Sequence, residues 1–259
     1  MLWIYSINVW LFCALAIAAW VVFSLAGLFL TRGLVARLWA GQPHNDIVSF
    51  FLAAVGVFYG ISLGLIAVGA WQNYAEVETK VSQEASSLAA LWRDVSDYPE
   101  PARADMRALL KRYTRLTIDS AWADQQRDSV SKHGLEEVHQ VDKILAAFEP
   151  KTAAQTALHA ETLRQFNQLM YLRQLRMASV SEQLPVAVWI VAILGGIINV
   201  VVTWLFLMPR LGAHALLTAP MGALVGLLIF LTAAVDHPYL GSVSVSAESF
   251  SLVFDEQMR

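Results

Sequence analysis

The sequence is short of charge. Asp, Glu, Lys and Arg make up 15% of its 259 residues, against about 25% in an ordinary soluble domain. The shortage is local: residues 72–183 hold 14 of the 18 Lys and Arg and 16 of the 21 Asp and Glu. The chain is therefore a nearly uncharged part joined to a normally polar one. A net charge of −3 with no dense basic run excludes a nucleic-acid partner. One cysteine, Cys13, excludes an intrachain disulfide and a thiolate metal cluster. No phosphate-binding glycine loop, dinucleotide glycine fingerprint or His-Glu-x-x-His occurs. The six histidines are scattered, and His133 and His139 are spaced so that they do not share a helical face. No catalytic residue, metal site or cofactor is read from this sequence. The N-terminus also lacks a basic segment, and its apolar run continues to Leu30. That pattern is a retained membrane helix rather than a cleaved leader.

What is present is apolar: 57% of the residues are hydrophobic. Four stretches, 7–30, 47–71, 184–207 and 213–235, contain no Asp, Glu, Lys or Arg. Each is long enough to cross roughly 30 Å of hydrocarbon at about 1.5 Å per residue. Trp3, Tyr5, Trp10, Trp71, Tyr74, Trp189 and Trp204 stand near their ends, as an interfacial aromatic belt requires. Pro209 and Gly212 lie in the short link between the last two spans and predict a tight helical hairpin with Gly212 in the turn. The expected fold is an all-α integral membrane protein with four transmembrane helices and a helical domain inserted between the second and third. Its parts are a first helix pair (1–71), a polar helical insert (72–183), a second helix pair (184–235) and an extended tail (236–259). In the tail, Ser242-Val243-Ser244-Val245-Ser246 alternates like a short strand or extended arm.

Within the insert, Val77, Val81, Ala85, Leu88, Trp92 and Val95 recur at spacings of three and four, one stripe of a helix. No Gly or Pro separates them from the second span, so a single helix is expected from about residue 47 to Asp97, on the order of 75 Å long. Pro101 suits the start of the next helix, which places Met106, Leu110, Tyr113 and Thr117 on one face and runs to about Trp122. A polar loop (124–134) and a helix (135–148) follow. Thr152 can cap a long helix to Gln183, with Leu163, Phe166, Met170, Arg173 and Met177 on a shared face.

The second span carries Gly56, Gly60 and Gly64 at intervals of four, a stripe on which another helix can approach closely. That partner is either a helix of the same chain or the same helix of another copy. In the second case Phe51, Phe58, Ile61 and Leu65 are candidates to face a central axis, where an apolar neck gates ions by dewetting. The spans hold no carboxylate, Lys or Arg, which argues against a proton-coupled transporter. A passive pore or a scaffold remains.

Three stretches point to a family. Phe58-Tyr59-Gly60-Ile61-Ser62-Leu63-Gly64 with Trp71 and Glu84-Ala85-Ser86-Ser87-Leu88-Ala89-Ala90-Leu91-Trp92-Arg93, together with Asp236-His237-Pro238-Tyr239-Leu240-Gly241 near the end, resemble the bacterial bestrophin-like membrane family. The resemblance, with the four-span layout, covers nearly the whole chain. It implies a bestrophin-like homo-oligomeric ion channel of the bacterial inner membrane, with bestrophin's pentamer as the stoichiometry to test, small ions and the lipid bilayer as partners, and the second helix lining the pore. Animal bestrophins add an acidic calcium clasp near the end of the core. Here Glu248, Asp255 and Glu256 lack the spacing of ligands, and calcium gating is not carried over. The alternative is a non-conducting scaffold or sensor whose insert binds a partner. Arg and Lys near the span ends divide almost evenly, so orientation rests on the resemblance, which puts the insert in the cytoplasm.

Overall fold

The structure is a computed structural model that describes residues 2–39, 44–127 and 129–258. The side chain of Trp3, assigned above to the aromatic belt, lies outside what it describes. After a short 3₁₀ turn at Leu2–Ser6 come α1 (Val9–Leu38), α2 (Asn45–Ser96), α3 (Ala102–Leu116), a π-helical turn (Thr117–Ala121) and α4 (Trp122–Gln125). Then follow α5 (Leu135–Ala147), α6 (Ala153–Ser179), α7 (Val186–Trp204), α8 (Leu211–Asp236) and α9 (Glu248–Gln257). No strand occurs among the described residues. Four helices, α1, α2, α7 and α8, are long and apolar enough to cross a membrane. Helix α2 runs unbroken for 52 residues, as its uninterrupted stripe requires.

The chain divides into two units, residues 1–73 with 183–236 and 241–243, and residues 74–182 with 237–240 and 244–259. In the first, α8 packs along α1 because glycines let the backbones meet. A methyl group at Gly226 would stand 2.8 Å from the Ala16 carbonyl oxygen, and one at Gly222 would stand 2.6 Å from Ser24 Oγ. The Trp204 indole lies against Gly27 and donates from Nε1 to the Ser24 carbonyl at 2.8 Å. Asp236, 5% exposed, accepts from Leu184 N at 2.7 Å and Trp189 Nε1 at 3.0 Å, so a buried carboxylate at the end of α8 satisfies donors at the entry to α7.

The second unit is a helical bundle around the α2 stripe. Val77, Val81, Ala85, Leu88, Trp92 and Val95 are all buried, with Met106, Leu110 and Tyr113 of α3 against them in one cluster. Thr152 caps α6 by accepting from Gln155 N at 3.2 Å. Gly134, at φ +78°, precedes α5 in a backbone conformation that favours glycine.

Four expectations are corrected. Gly212 lies in the first turn of α8 and not in the hairpin turn, which the residues between α7 and α8 supply. Pro209 lies in that link as expected. The buried side of α6 runs through Thr162, Phe166, Leu169, Leu172, Arg176 and Ser179, about one residue off the Leu163–Met170–Arg173–Met177 line. Phe166 belongs to both lines, and Leu163 and Met170 pack partly buried against the core, so the expected face lies at the edge of the buried side rather than at its centre. The segment 242–246 forms no strand. Where the sequence reading had an extended tail to the end, the chain closes in the ten-residue helix α9, whose Phe250 is fully buried.

Candidate pore helix and its buried anchor

Helix α2 has two unlike sides in the membrane unit. Val48, Leu63, Ala67 and Ala70 are buried against the rest of the unit. Phe51, Phe58, Ile61 and Leu65 are 52%, 75%, 60% and 68% exposed, and their spacings of three, four and seven put them on the opposite side. All four candidates therefore share an outward, apolar face. The glycine stripe is placed differently. Gly60 and Gly64 have no atom within 4 Å of where a Cβ would stand, and Gly56 has only the Asn199 side-chain oxygen at 3.6 Å. The tight glycine contacts of this unit are instead at Gly27, Gly195, Gly196, Gly222 and Gly226. The sequence reading did not single these out: Gly222 and Gly226 are spaced by four just as the α2 glycines are, and only the placed neighbours show which of the two stripes is covered.

Two anchors hold α2 to its neighbours here. At its start Asn45 bonds Leu207 twice, Nδ2 donating to the carbonyl at 2.9 Å and Oδ1 accepting from N at 3.0 Å. Halfway along, Tyr59 donates to the Ala192 carbonyl at 3.0 Å, its ring filling the space over Gly195. Beside Gly56 and Gly60 lies an open, mostly apolar groove of about 550 Å³, walled by Ala53, Asn199, Met221 and Leu224 among others.

In the other unit α2 ends in a charged anchor. Arg176 of α6 donates from Nε to Glu84 Oε2 at 2.6 Å and from Nη2 to Oε1 at 3.1 Å. Tyr113 of α3 donates to Glu84 Oε1 at 2.8 Å. Glu84, Arg176 and Tyr113 are 0%, 1% and 0% exposed. The guanidinium also lies 5.6 Å from the ring centres of both Trp122 and Phe250, within cation–π range. Burial opposes the charge on Arg176, but the Glu84 carboxylate outweighs it and holds the guanidinium above its ordinary range. Burial, reinforced by the same carboxylate, pushes Tyr113 up. Tyr239, buried and in contact with Ser179 Oγ at 3.1 Å, is pushed up to about 12, burial being the main cause. The tail completes this core: Trp122 Nε1 donates to the Val245 carbonyl at 3.1 Å and Thr114 Oγ1 donates to Met258 Sδ at 3.3 Å. Both Glu84 and Arg176 were visible in the sequence, but nothing in a helical period marks two charges as partners across 92 positions.

Glu248, Asp255 and Glu256 all belong to α9, and among the described residues no three His, Cys, Asp or Glu side chains are grouped to hold a metal ion.

A family model described as the bestrophin-like domain matches residues 18–250. The chain belongs to the bestrophin-like family. Its fold agrees: a crystal structure of a bacterial bestrophin homologue from Klebsiella pneumoniae, carrying a mutation, superposes with a TM-score of 0.69 at 9% identity, covering 95% of this chain and 97% of that one. A second crystal structure, of a membrane protein, gives 0.68 at 8% identity with the same coverage. No curated protein matches the sequence. In this bestrophin-like chain the stretches that carried the resemblance hold anchoring contacts: Glu84 makes the buried ion pair, Asp236 accepts from Leu184 N and Trp189 Nε1, and Tyr239 bonds Ser179.

Proposed function

We propose that the protein is a homo-oligomeric ion channel of the bacterial inner membrane, with α2 lining the pore and Phe51, Phe58, Ile61 and Leu65 supplying the neck. The observation that carries this reading is the outward row of large apolar side chains on α2, beside Gly60 and Gly64, which no neighbour among the described residues covers. Membership of a family whose namesakes are ion channels supports it. Around a symmetry axis such a row forms a constriction where a hydrated ion loses water without gaining oxygen ligands. The buried Glu84–Arg176 pair fixes the insert part of α2 to α6 within the second unit.

The alternative is a scaffold whose insert docks a partner. An open groove of about 750 Å³ beside Ser86, Ala89, Arg93 and Ser96, edged by Val253 and Gln257, offers it a place. Two readouts separate the readings. The mass of the purified protein in detergent should be a fixed multiple of 28.6 kDa, and vesicles containing it should release entrapped ions. A monomer that releases none returns the scaffold.

A further inference from the structure

Helix α2 repeats a pair of residues every seventh position: a large apolar residue and, two places later, a small one. The pairs are Phe51 and Ala53, Phe58 and Gly60, and Leu65 and Ala67. Two residues along an α-helix turn it by about 200°, so the small member lies about 160° from the large one and about 3 Å higher. The large members form a ridge on one flank and the small members a notch on the other. A seven-residue period is also the period with which helices wind around one another.

The notch is open. Gly60 has nothing within 4 Å of a Cβ position, and Ala53, Gly56 and Gly60 form one wall of the 550 Å³ groove. Asn199, 1% exposed, lines that groove. Its Nδ2 is committed to the Gly195 carbonyl at 3.2 Å, and its Oδ1 is the atom nearest Gly56. Among the described residues no N–H or O–H reaches that oxygen. The ridge is open as well, with Phe51 and Phe58 more than half exposed.

We infer that the groove receives Phe51 and Phe58 of a neighbouring copy of this chain. Copies related by rotation about an axis along α2 present equal residue numbers at equal height, which sets each Phe58 level with the Gly56–Gly60 notch beside it and each Phe51 level with Ala53. The electropositive edge of a phenyl ring suits the free oxygen of Asn199. Ridge and notch lie on different flanks, so the contact is head-to-tail rather than two-fold, and it forms a ring where the rotation between copies closes. Ala67, the small member of the third pair, is covered by its own unit, so the contact ends near Gly60. The inference rests on the oligomeric channel reading and divides its neck candidates: Phe51 and Phe58 pack between copies, leaving Ile61 and Leu65 for the axis.

The test uses the full chain in membranes with Cys13→Ser as background. Phe58→Cys and Gly60→Cys are made singly and together, and Phe51→Cys with Ala53→Cys gives a second pair. Disulfides form only when Cα atoms come within about 7 Å. Oxidation of either double variant should give a ladder of covalent oligomers. The single variants should stay monomeric alone, and a co-expressed mixture of the Phe58→Cys and Gly60→Cys chains should link. Gly60→Cys dimers formed alone would indicate a two-fold contact and overturn the inference. So would monomers only from both double variants. A ladder from a protein that conducts no ions leaves this contact standing and removes the channel reading.

Discussion

Arg176 Nε meets Glu84 Oε2 at 2.6 Å in a site that water does not reach, joining α6 to the long helix that also crosses the membrane. A buried pair of this kind does not stabilise a fold beyond what apolar residues of the same size would, but breaking it leaves one charge stranded. Glu84→Gln or Arg176→Met alone is therefore expected to cost about 3–5 kcal/mol. The double variant should recover a large part of the loss. Thermal unfolding and protease resistance of the purified protein would read this, and a Glu84→Gln protein as stable as the parent would remove the anchor.

The glycines of the membrane unit should separate into two kinds. Gly222→Leu forces a side chain into Ser24 and the Trp20 carbonyl, and should abolish folding and expression. A Cβ at Gly60 meets nothing within 4 Å among the described residues, so Gly60→Leu should fold and insert normally but lose assembly. Membrane yield and oligomer mass distinguish these outcomes. Equal loss of yield in both variants would mean that Gly60 packs within the chain.

Asp94 gives a pH-dependent prediction. Its Oδ2 is buried and finds no donor among the described residues. Burial raises its pKa, Glu161 and Asp97 raise it further, and Arg93 and Arg164 oppose the shift. A carboxyl raised in the folded state holds its proton better there than in the unfolded chain. Its contribution is most favourable below the unfolded carboxylate range and is lost as pH rises through the folded value. Asp94→Asn should thus stabilise the insert at neutral pH, by up to about 1 kcal/mol after allowing for solvent screening. The gain should fade as pH falls toward about 4. Unfolding midpoints of both proteins at several pH values would show it, and a constant difference would contradict it.

Four spans put both ends of the chain on the side of the insert. Reporter fusions at residue 1, near residue 130 and at residue 259 should agree in sidedness. Disagreement of the middle fusion with either end would mean that a helix assigned to the bilayer does not cross it.

These predictions draw unequally on sequence and structure. The four apolar helices and the unbroken α2 follow from composition and period, because charge in hydrocarbon and proline in a helix are both costly. The outward face of α2 could not be chosen from sequence. In a membrane helix the lipid side, the packed side and a pore side are all apolar, so Phe58 and Leu63 look alike until the neighbours are placed. The same holds for Gly60 and Gly226, one bare and one pressed against Ala16. Arg176 was not singled out at all, because only the tertiary fold supplies Glu84, Trp122 and Phe250 around it. In the tail, alternation at 242–246 suggests a strand, but among the described residues there is no strand to pair with it, and Phe250 of helix α9 is buried in the core instead.

If ions pass along α2, single-channel current through the purified protein in planar bilayers will report it. Discrete openings are expected under an ion gradient. Shortening the axial residues by Ile61→Ala or Leu65→Ala should raise conductance severalfold, because a wider neck stays wet. Phe51→Ala and Phe58→Ala should instead weaken assembly, and an alanine at the exposed Leu216 of α8, away from α2, should change little. Silence from the intact oligomer under every gradient, or currents indifferent to all four α2 substitutions, would contradict it.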